Sequence, residues 1–158
     1  MGTAIGAQTL RFLSTEWAEA ARAQVDRGPG ETVMAGKQES YWEWIAATRE
    51  AYSYSWALGV REPASGGGGV SYLRLGWRDG RCADATIVGP DEQVSADFVI
   101  QGTRETWRRF FAGELNLQRM VVDKMLRLEH GDILVFFQGV FFFVESLAAL
   151  EQVPTSFG

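Results

Sequence analysis

The chain has little cysteine, little histidine and no concentrated positive charge, and each scarcity removes a class of protein. Cys82 is the only cysteine, so an internal disulfide framework is excluded and a reducing cytoplasm is the expected setting. His130 is the only histidine, which leaves any metal site without a spaced His or Cys cluster. It reads as a structural turn residue, and no metal or cofactor is expected. Lys and Arg number 15 against 20 Asp and Glu, for a net charge of −5, and the basic residues are dispersed. The electrostatic footprint of a nucleic-acid binder is therefore missing. The start, Met1-Gly2-Thr3-Ala4, lacks the basic region and apolar core of a signal peptide. Long hydrophobic runs are scarce too. Only the stretch from Ile133 to Leu150 approaches membrane-spanning length, and Gln138, Gly139, Glu145 and Ser146 interrupt it. It reads as a buried helix, with no stable membrane insertion.

What is present suits one compact domain. Of 158 residues, 46% are apolar and 22% charged, enough for a single substantial core with an ordered fold almost throughout. Residues 1–13 show little periodicity and read as an N-terminal leader that packs around Leu10, Phe12 and Leu13, while residues 14–158 form the domain.

Ser14 or Thr15 can cap a first helix that carries Glu16 in its first turn. Trp17, Ala20, Ala21 and Val25 share one of its faces, and Gly28-Pro29-Gly30 ends it. Met34, Tyr41, Trp42 and Ile45 predict a second helix from Glu31 to about Thr48. The period then changes to two. Tyr54, Trp56, Leu58 and Val60 alternate with Ser53, Ser55, Ala57 and Gly59, which predicts a half-buried strand. Gly66 to Gly69 read as a mobile hairpin loop before a strand at 70–78, where Leu73, Leu75 and Trp77 share a face. Asp79-Gly80 is a tight-turn dipeptide leading into a third strand at 81–88, and a short strand at 96–101 follows.

Thr103 can cap a helix with Trp107, Phe110, Phe111 and Leu115 on one face. Leu117, Met120, Val121 and Met125 predict another helix, and residues 126–129 a short strand. Asp132 caps the last helix, whose apolar residues from Ile133 to Leu147 surround its axis. A protein core covers one stripe of a helix, so a second apolar neighbour is implied: a ligand, a partner subunit or a membrane surface.

This order of elements resembles the sterol carrier protein type 2 family from about Ser14 to the end. The residues that carry the resemblance are Ala96-Asp97-Phe98-Val99-Ile100-Gln101-Gly102-Thr103, then Glu105-Thr106-Trp107 and Phe111-Ala112-Gly113-Glu114-Leu115, which are similar to bacterial members. Arg127-Leu128, Gly131-Asp132 and the ending Val153-Pro154-Thr155-Ser156-Phe157 add to it. Lys124-Met125 departs from it, standing where members carry a small and a basic residue. The resemblance implies an α+β fold with a twisted, mostly antiparallel sheet of about five strands covered by helices. It also implies an apolar cavity between the sheet and the C-terminal helices that takes up fatty acids, acyl-CoA, sterols or similar molecules.

Other motifs carry less. Gly30 to Gly36-Lys37 has five residues between the glycines where a phosphate-binding loop needs four, and Gln38 replaces its Ser or Thr. A Cys82–His130 dyad lacks any surrounding signature of nucleophilic catalysis. Asp84, Asp91, Glu92 and Asp97 read as solvated carboxylates. Arg104, Arg108 and Arg109 form a basic set that reads as an ordinary solvated helix face, with a ligand phosphate or carboxylate as the alternative.

The candidate ligand-binding set is Trp107, Phe110, Phe111, Met120, Met125, Phe136, Phe137 and Phe141, with the methionines as adaptable liners. The expected activity is non-enzymatic binding, and the expected partner is a hydrophobic small molecule. Two alternatives stay open: an accessory biosynthetic enzyme using the same cavity, and a homodimer whose last helix covers a second subunit.

Overall fold

The structure, a computed structural model, describes residues 9–27, 38–63, 67–116, 119–120 and 123–157. The N-terminal strand β1 (Leu10–Arg11) leads into helix α1 (Thr15–Arg27). Ser14 caps α1 by accepting from the Trp17 N–H at 3.2 Å, and the buried face holds Trp17, Ala18, Ala21 and Val25. Ala18 replaces the expected Ala20, which is half-buried. Helix α2 (Glu39–Glu50) buries Trp42 and Ile45. The earlier part of the expected second helix, with Met34, and the glycine motif at 30–36 lie outside the described residues.

Strands β2 (Ser55–Arg61), β3 (Val70–Arg78), β4 (Arg81–Val88), β5 (Phe98–Thr103) and β6 (Arg127–His130) form one sheet in the order β4-β3-β2-β5-β6. Three of its pairings are antiparallel, and β2 with β5 is parallel, with Trp56 opposite Phe98 and Leu58 opposite Ile100. The fold class is thus α+β with a mostly antiparallel five-stranded sheet, as the sequence implied.

The expectation of a half-buried β2 is corrected: Ser55 to Val60 are all buried. As the central strand, β2 is covered on both faces. Its small residues leave room for the Tyr72 ring, which lies where a Cβ on Gly59 would be. Asp97 accepts from both the Ser55 N–H at 2.8 Å and its hydroxyl at 3.1 Å, holding the 89–97 connection against the strand.

The β3–β4 turn uses Asp79 at φ 48° and Gly80 at φ 82°, the left-handed pair that a two-residue hairpin needs. Of the glycine run, residue 66 lies outside the described residues, and the Glu62 N–H bonds to the Gly69 carbonyl at 2.8 Å, closing the β2–β3 hairpin.

Helix α3 (Arg104–Phe111) follows β5 directly, capped by Thr103, which accepts from the Thr106 N–H at 3.1 Å. After β6 come α4 (Ile133–Gln138), α5 (Val140–Leu150) and β7 (Thr155–Ser156), which pairs in parallel with β1. Trp17, Ile45, Trp107, Phe110, Phe142 and Leu147 of the helices pack with Trp56, Leu58, Leu73, Leu75, Trp77, Phe98 and Ile100 of the sheet in one core. These sheet positions alternate along their strands, so they share one face.

Candidate functional site

The single C-terminal helix expected from the sequence is two helices. Asp132 starts α4 as anticipated, its Oδ1 accepting from the Leu134 N–H at 2.9 Å and the Val135 N–H at 3.3 Å. Gly139 divides the run by leaving the helical conformation, at φ −113° and ψ 19°, and the Tyr52 ring lies 2.9 Å from where its Cβ would stand, so the position takes no side chain. The two halves differ. Helix α5 buries Phe142, Phe143, Glu145, Ser146, Leu147, Ala149 and Leu150, whereas α4 buries none of its six residues. Ile133 is 53% exposed, Leu134 72% and Phe137 56%. Trp44 of α2 and Phe141 of α5, both exposed, meet with tilted rings whose centroids are 5.2 Å apart.

Val135 and Phe136 are the side chains through which α4 meets the core, with the Phe136 ring 5.3 Å from Phe98 and 5.0 Å from Phe143. Below it, Phe142 and Phe143 contact Trp56, and Phe142 contacts Tyr52 and Trp77. A shallow crease, too tight to hold a water molecule, lies between α2 and the α4–α5 junction, lined by Trp44, Ile45, Thr48, Gln138, Gly139, Phe141 and Phe142.

The residues named from sequence fall into different neighbourhoods. Phe136 and Phe137 touch each other, with ring centroids 6.1 Å apart, and Phe141 borders the crease. Trp107, Phe110 and Phe111 form a separate ring network with Phe12, Trp17 and Phe157. Trp107 is pinned there by donating its indole N–H to the Gly59 carbonyl at 3.0 Å. Met120 is fully buried and Met125 half-buried in the same core. Leu117 and Val121 lie outside the described residues.

Tyr52, Trp56, Trp77, Phe98, Phe142 and Phe143 were not in that candidate set, yet they form the aromatic wall beneath α4. The period-two pattern already placed Trp56 and Trp77 on inward faces, and the apolar run contained both phenylalanines. Tyr52 had no such signal.

Glu145, 5% exposed, accepts a 2.6 Å hydrogen bond from the Tyr41 hydroxyl. Burial first, and this bond second, raise the Tyr41 phenol above its ordinary pKa. The arginines of α3 face carboxylates: Arg104 pairs with Glu62, Arg108 with Glu105, and Arg109 with Glu114. Cys82 is buried, which pushes its thiol up to about 12 and makes it a poor nucleophile. His130 ends β6 and borders an open cleft of about 570 Å³ with Gln93, Val94, Ser95, Ala96 and Val99. Among the described residues no cluster of His, Cys, Asp or Glu could hold a metal ion, and no helix is long and apolar enough to cross a membrane.

This architecture defines an α+β domain with the sterol carrier protein 2-like fold. The chain is similar to a crystal structure of sterol carrier protein 2, with a TM-score of 0.68 at 22% identity over 90% of this chain and 99% of the other. It is equally similar to a conserved hypothetical protein from Thermus thermophilus, with a TM-score of 0.67 at 20% identity over 95% of both chains. No protein-family model matches the sequence, and a search of curated proteins finds no match.

Proposed function

We propose that the protein binds, and passes between apolar environments, a hydrophobic small molecule held between the sheet and the C-terminal helices. The ligand class is fatty acid, acyl-CoA, sterol-like or polyketide-like. The observation that carries this reading is the exposure of Ile133, Leu134 and Phe137 on a helix that joins the core only through its inner side chains. Contiguous apolar surface of this kind marks a ligand or interaction site. The likeness to sterol carrier protein 2 supports the same reading at the level of fold. Of the expected set, Phe136, Phe137 and Phe141 border the proposed site over the wall of Phe98, Phe142 and Phe143, while Trp107, Phe110, Phe111, Met120 and Met125 pack in the core and the separate ring network.

Binding of this kind needs no catalytic group. Each methylene moved out of water contributes roughly 0.8 kcal/mol, so a sixteen-carbon chain supplies over ~10 kcal/mol before ordering costs. A cytoplasmic location fits the single neutral thiol of Cys82. One observation favours a second reading, an accessory enzyme acting in the same cavity: the buried Glu145 is bonded to the half-buried Tyr41, whose ring lies 6.0 Å from that of Phe141.

The test is mass spectrometry of an organic extract from freshly purified protein, run beside a native mass spectrum. The expected result is an apolar compound at about one per chain. A ligand-free homodimer that also binds no fluorescent acyl probe overturns the carrier reading and makes the α4 surface a subunit interface. Chemical conversion of the extracted compound on incubation, lost in Glu145→Gln, would select the enzyme.

A further inference from the structure

The sheet has two faces, and the hydrophobic ligand proposed above concerns one of them. Trp56, Leu58, Phe98 and Ile100 point into the core, so Ala57, Val99 and Gln101 between them point the opposite way. The 89–97 connection crosses this outer face as a strap. Arg74, which lies opposite Ala57, donates to the Ser95 carbonyl at 2.7 Å, and Asp97 accepts from Ser55. Val99 and His130 of the sheet and residues Gln93 to Ala96 of the strap line the open cleft of about 570 Å³. That is the size of a small-molecule site, roughly 300–1,000 Å³. Val94, Ala96 and Val99 give it apolar surface, while Gln93, Ser95 and His130 give it polar groups. The mixture suits a compact organic body and not a long hydrocarbon chain.

Beside the cleft stands a row of hydrogen-bond donors. Gln101 is the next outward residue along β5, about 7 Å from Val99. Arg61 of β2 donates to Gln101 Oε1, and Arg127 of β6 is the cross-strand partner of Gln101. An arginine only donates, so its bond fixes the orientation of the amide. The amide nitrogen of Gln101 then has no acceptor among the described residues. Gly59 leaves space for this arrangement: the Gln101 Cγ lies 3.2 Å from where its Cβ would stand.

The neighbouring carboxylates are engaged elsewhere. Glu62 pairs with Arg104, Asp84 with Arg74, and Asp97 with Ser55. Among the described residues, neither Arg61 nor Arg127 has a carboxylate within ion-pair distance. Even with Glu129 of β6 counted against them, the two arginines leave this strip positive, on a chain whose net charge is −5. Three donor groups from three adjacent strands can serve more oxygens than the two of a planar carboxylate. A phosphate monoester presents three, and its dianion matches two guanidiniums.

The geometry points to a second binding site, for a phosphate monoester, on the outer face of β5. Arg61, Gln101 and Arg127 hold the phosphate, and the organic body lies in the cleft against Val99 and His130. The site is on the opposite face of the sheet from the hydrophobic ligand and does not depend on that reading. A soluble metabolite and a phosphatidate headgroup share this chemistry, and the experiment separates them.

The probe is phenyl phosphate, titrated into ¹⁵N-labelled protein above neutral pH, where it is a dianion. The Gln101 side-chain amide and the Val99 backbone amide resonances should move together. Inorganic phosphate should bind about tenfold more weakly, because it lacks the ring. Arg61→Gln and Arg127→Gln should each weaken phenyl phosphate about tenfold, the worth of one charge-assisted hydrogen bond. Both positions are exposed, as is Arg78 at the end of β3. Arg78→Gln removes the same charge away from the cleft and should stay within about twofold of wild type. Phosphatidylcholine vesicles with and without phosphatidate then identify the source. Cosedimentation that needs phosphatidate and is lost in Arg127→Gln assigns the site to a lipid headgroup, and phenyl phosphate binding without it assigns the site to a soluble metabolite. An unmoved Gln101 amide at millimolar phenyl phosphate, or equal weakening by Arg78→Gln and Arg127→Gln, overturns the inference. A protein that binds phenyl phosphate in the expected pattern but no acyl probe keeps this site and loses the carrier reading.

Discussion

Tyr41 and Glu145 are 104 positions apart in sequence, yet the Tyr41 hydroxyl donates to Glu145 Oε2 at 2.6 Å and ties α2 to α5. Glu145 is 5% exposed, so the loss of a hydrogen-bonding partner there is felt. Tyr41→Phe is expected to cost about 1–3 kcal/mol at neutral pH, read as a lower urea midpoint with an unchanged slope. The folded-state pKa of Tyr41 is raised, so its contribution is fully present below the ordinary phenol value of about 10 and is lost as pH rises through the higher folded value. The variant should therefore show a shallower alkaline limb of the stability curve. It will not be flat, because burial raises Tyr52 as well.

Asp26 supplies a pH dependence at the acid end. It accepts from Arg81 at 2.6 and 2.9 Å and from the Cys82 N–H at 2.9 Å, and the Arg81 hydrogen bonds hold its carboxyl below the ordinary carboxylate range. With a depressed folded pKa, its stabilisation is present above the unfolded value of about 4 and disappears as pH falls through the lower folded value. Asp26→Asn should lose about 1–3 kcal/mol at pH 7. Wild type and variant should converge below pH ~3. A constant gap across the whole range, measured by chemical denaturation, would show that ionisation plays no part.

Gly80 tests the turn. Its φ of 82° is unfavourable for any side chain, and a Cβ would collide with the Arg49 carbonyl oxygen. Gly80→Ala is expected to cost about 2 kcal/mol, visible as a lower thermal midpoint. An unchanged midpoint would mean that the β3–β4 hairpin rearranges freely.

Phe137 tests the surface of α4. Because the side chain is 56% exposed, Phe137→Asp should change stability by only about 0.5 kcal/mol while abolishing binding of a fluorescent acyl probe. Ala148→Asp puts the same charge at an exposed position on α5 and should bind the probe normally. Equal probe binding by the two variants removes Phe137 from the ligand path.

Strands were legible where side chains alternate in size: Trp56, Leu58, Leu73, Leu75 and Trp77 all turn inward as their spacing predicts. The caps Ser14, Thr103 and Asp132 were readable for a related reason, since a short polar side chain before an apolar-periodic run has one well-defined bonding geometry. The break between α4 and α5 was hidden because a lone Gly139 inside an apolar run does not by itself end a helix, and the close neighbour that keeps a side chain from that position, Tyr52, lies 87 positions earlier. Grouping the aromatic residues was beyond the sequence for the same reason. Periodicity identifies the apolar face of α3, but only tertiary structure shows that Phe111 meets Phe12, Trp17 and Phe157 there. Glu145 read only as an interruption of the apolar run, and Tyr41, which bonds to it, comes from a helix that no local pattern could have paired with it.

The parallel pairing of β1 with β7 bears on how the domain responds to force. In a parallel pair, the amino-terminal side of β1 and the carboxyl-terminal side of β7 lie at opposite ends of the ladder. Tension between them slides the strands lengthwise and loads the Leu10–Pro154 and Phe12–Ser156 hydrogen bonds together instead of peeling them in turn. The Trp17–Thr155 bond and the Phe12–Phe157 ring contact, with centroids 4.4 Å apart, stiffen the same short clamp. Pulling along the chain must therefore shear this clamp before any load reaches the five-stranded sheet.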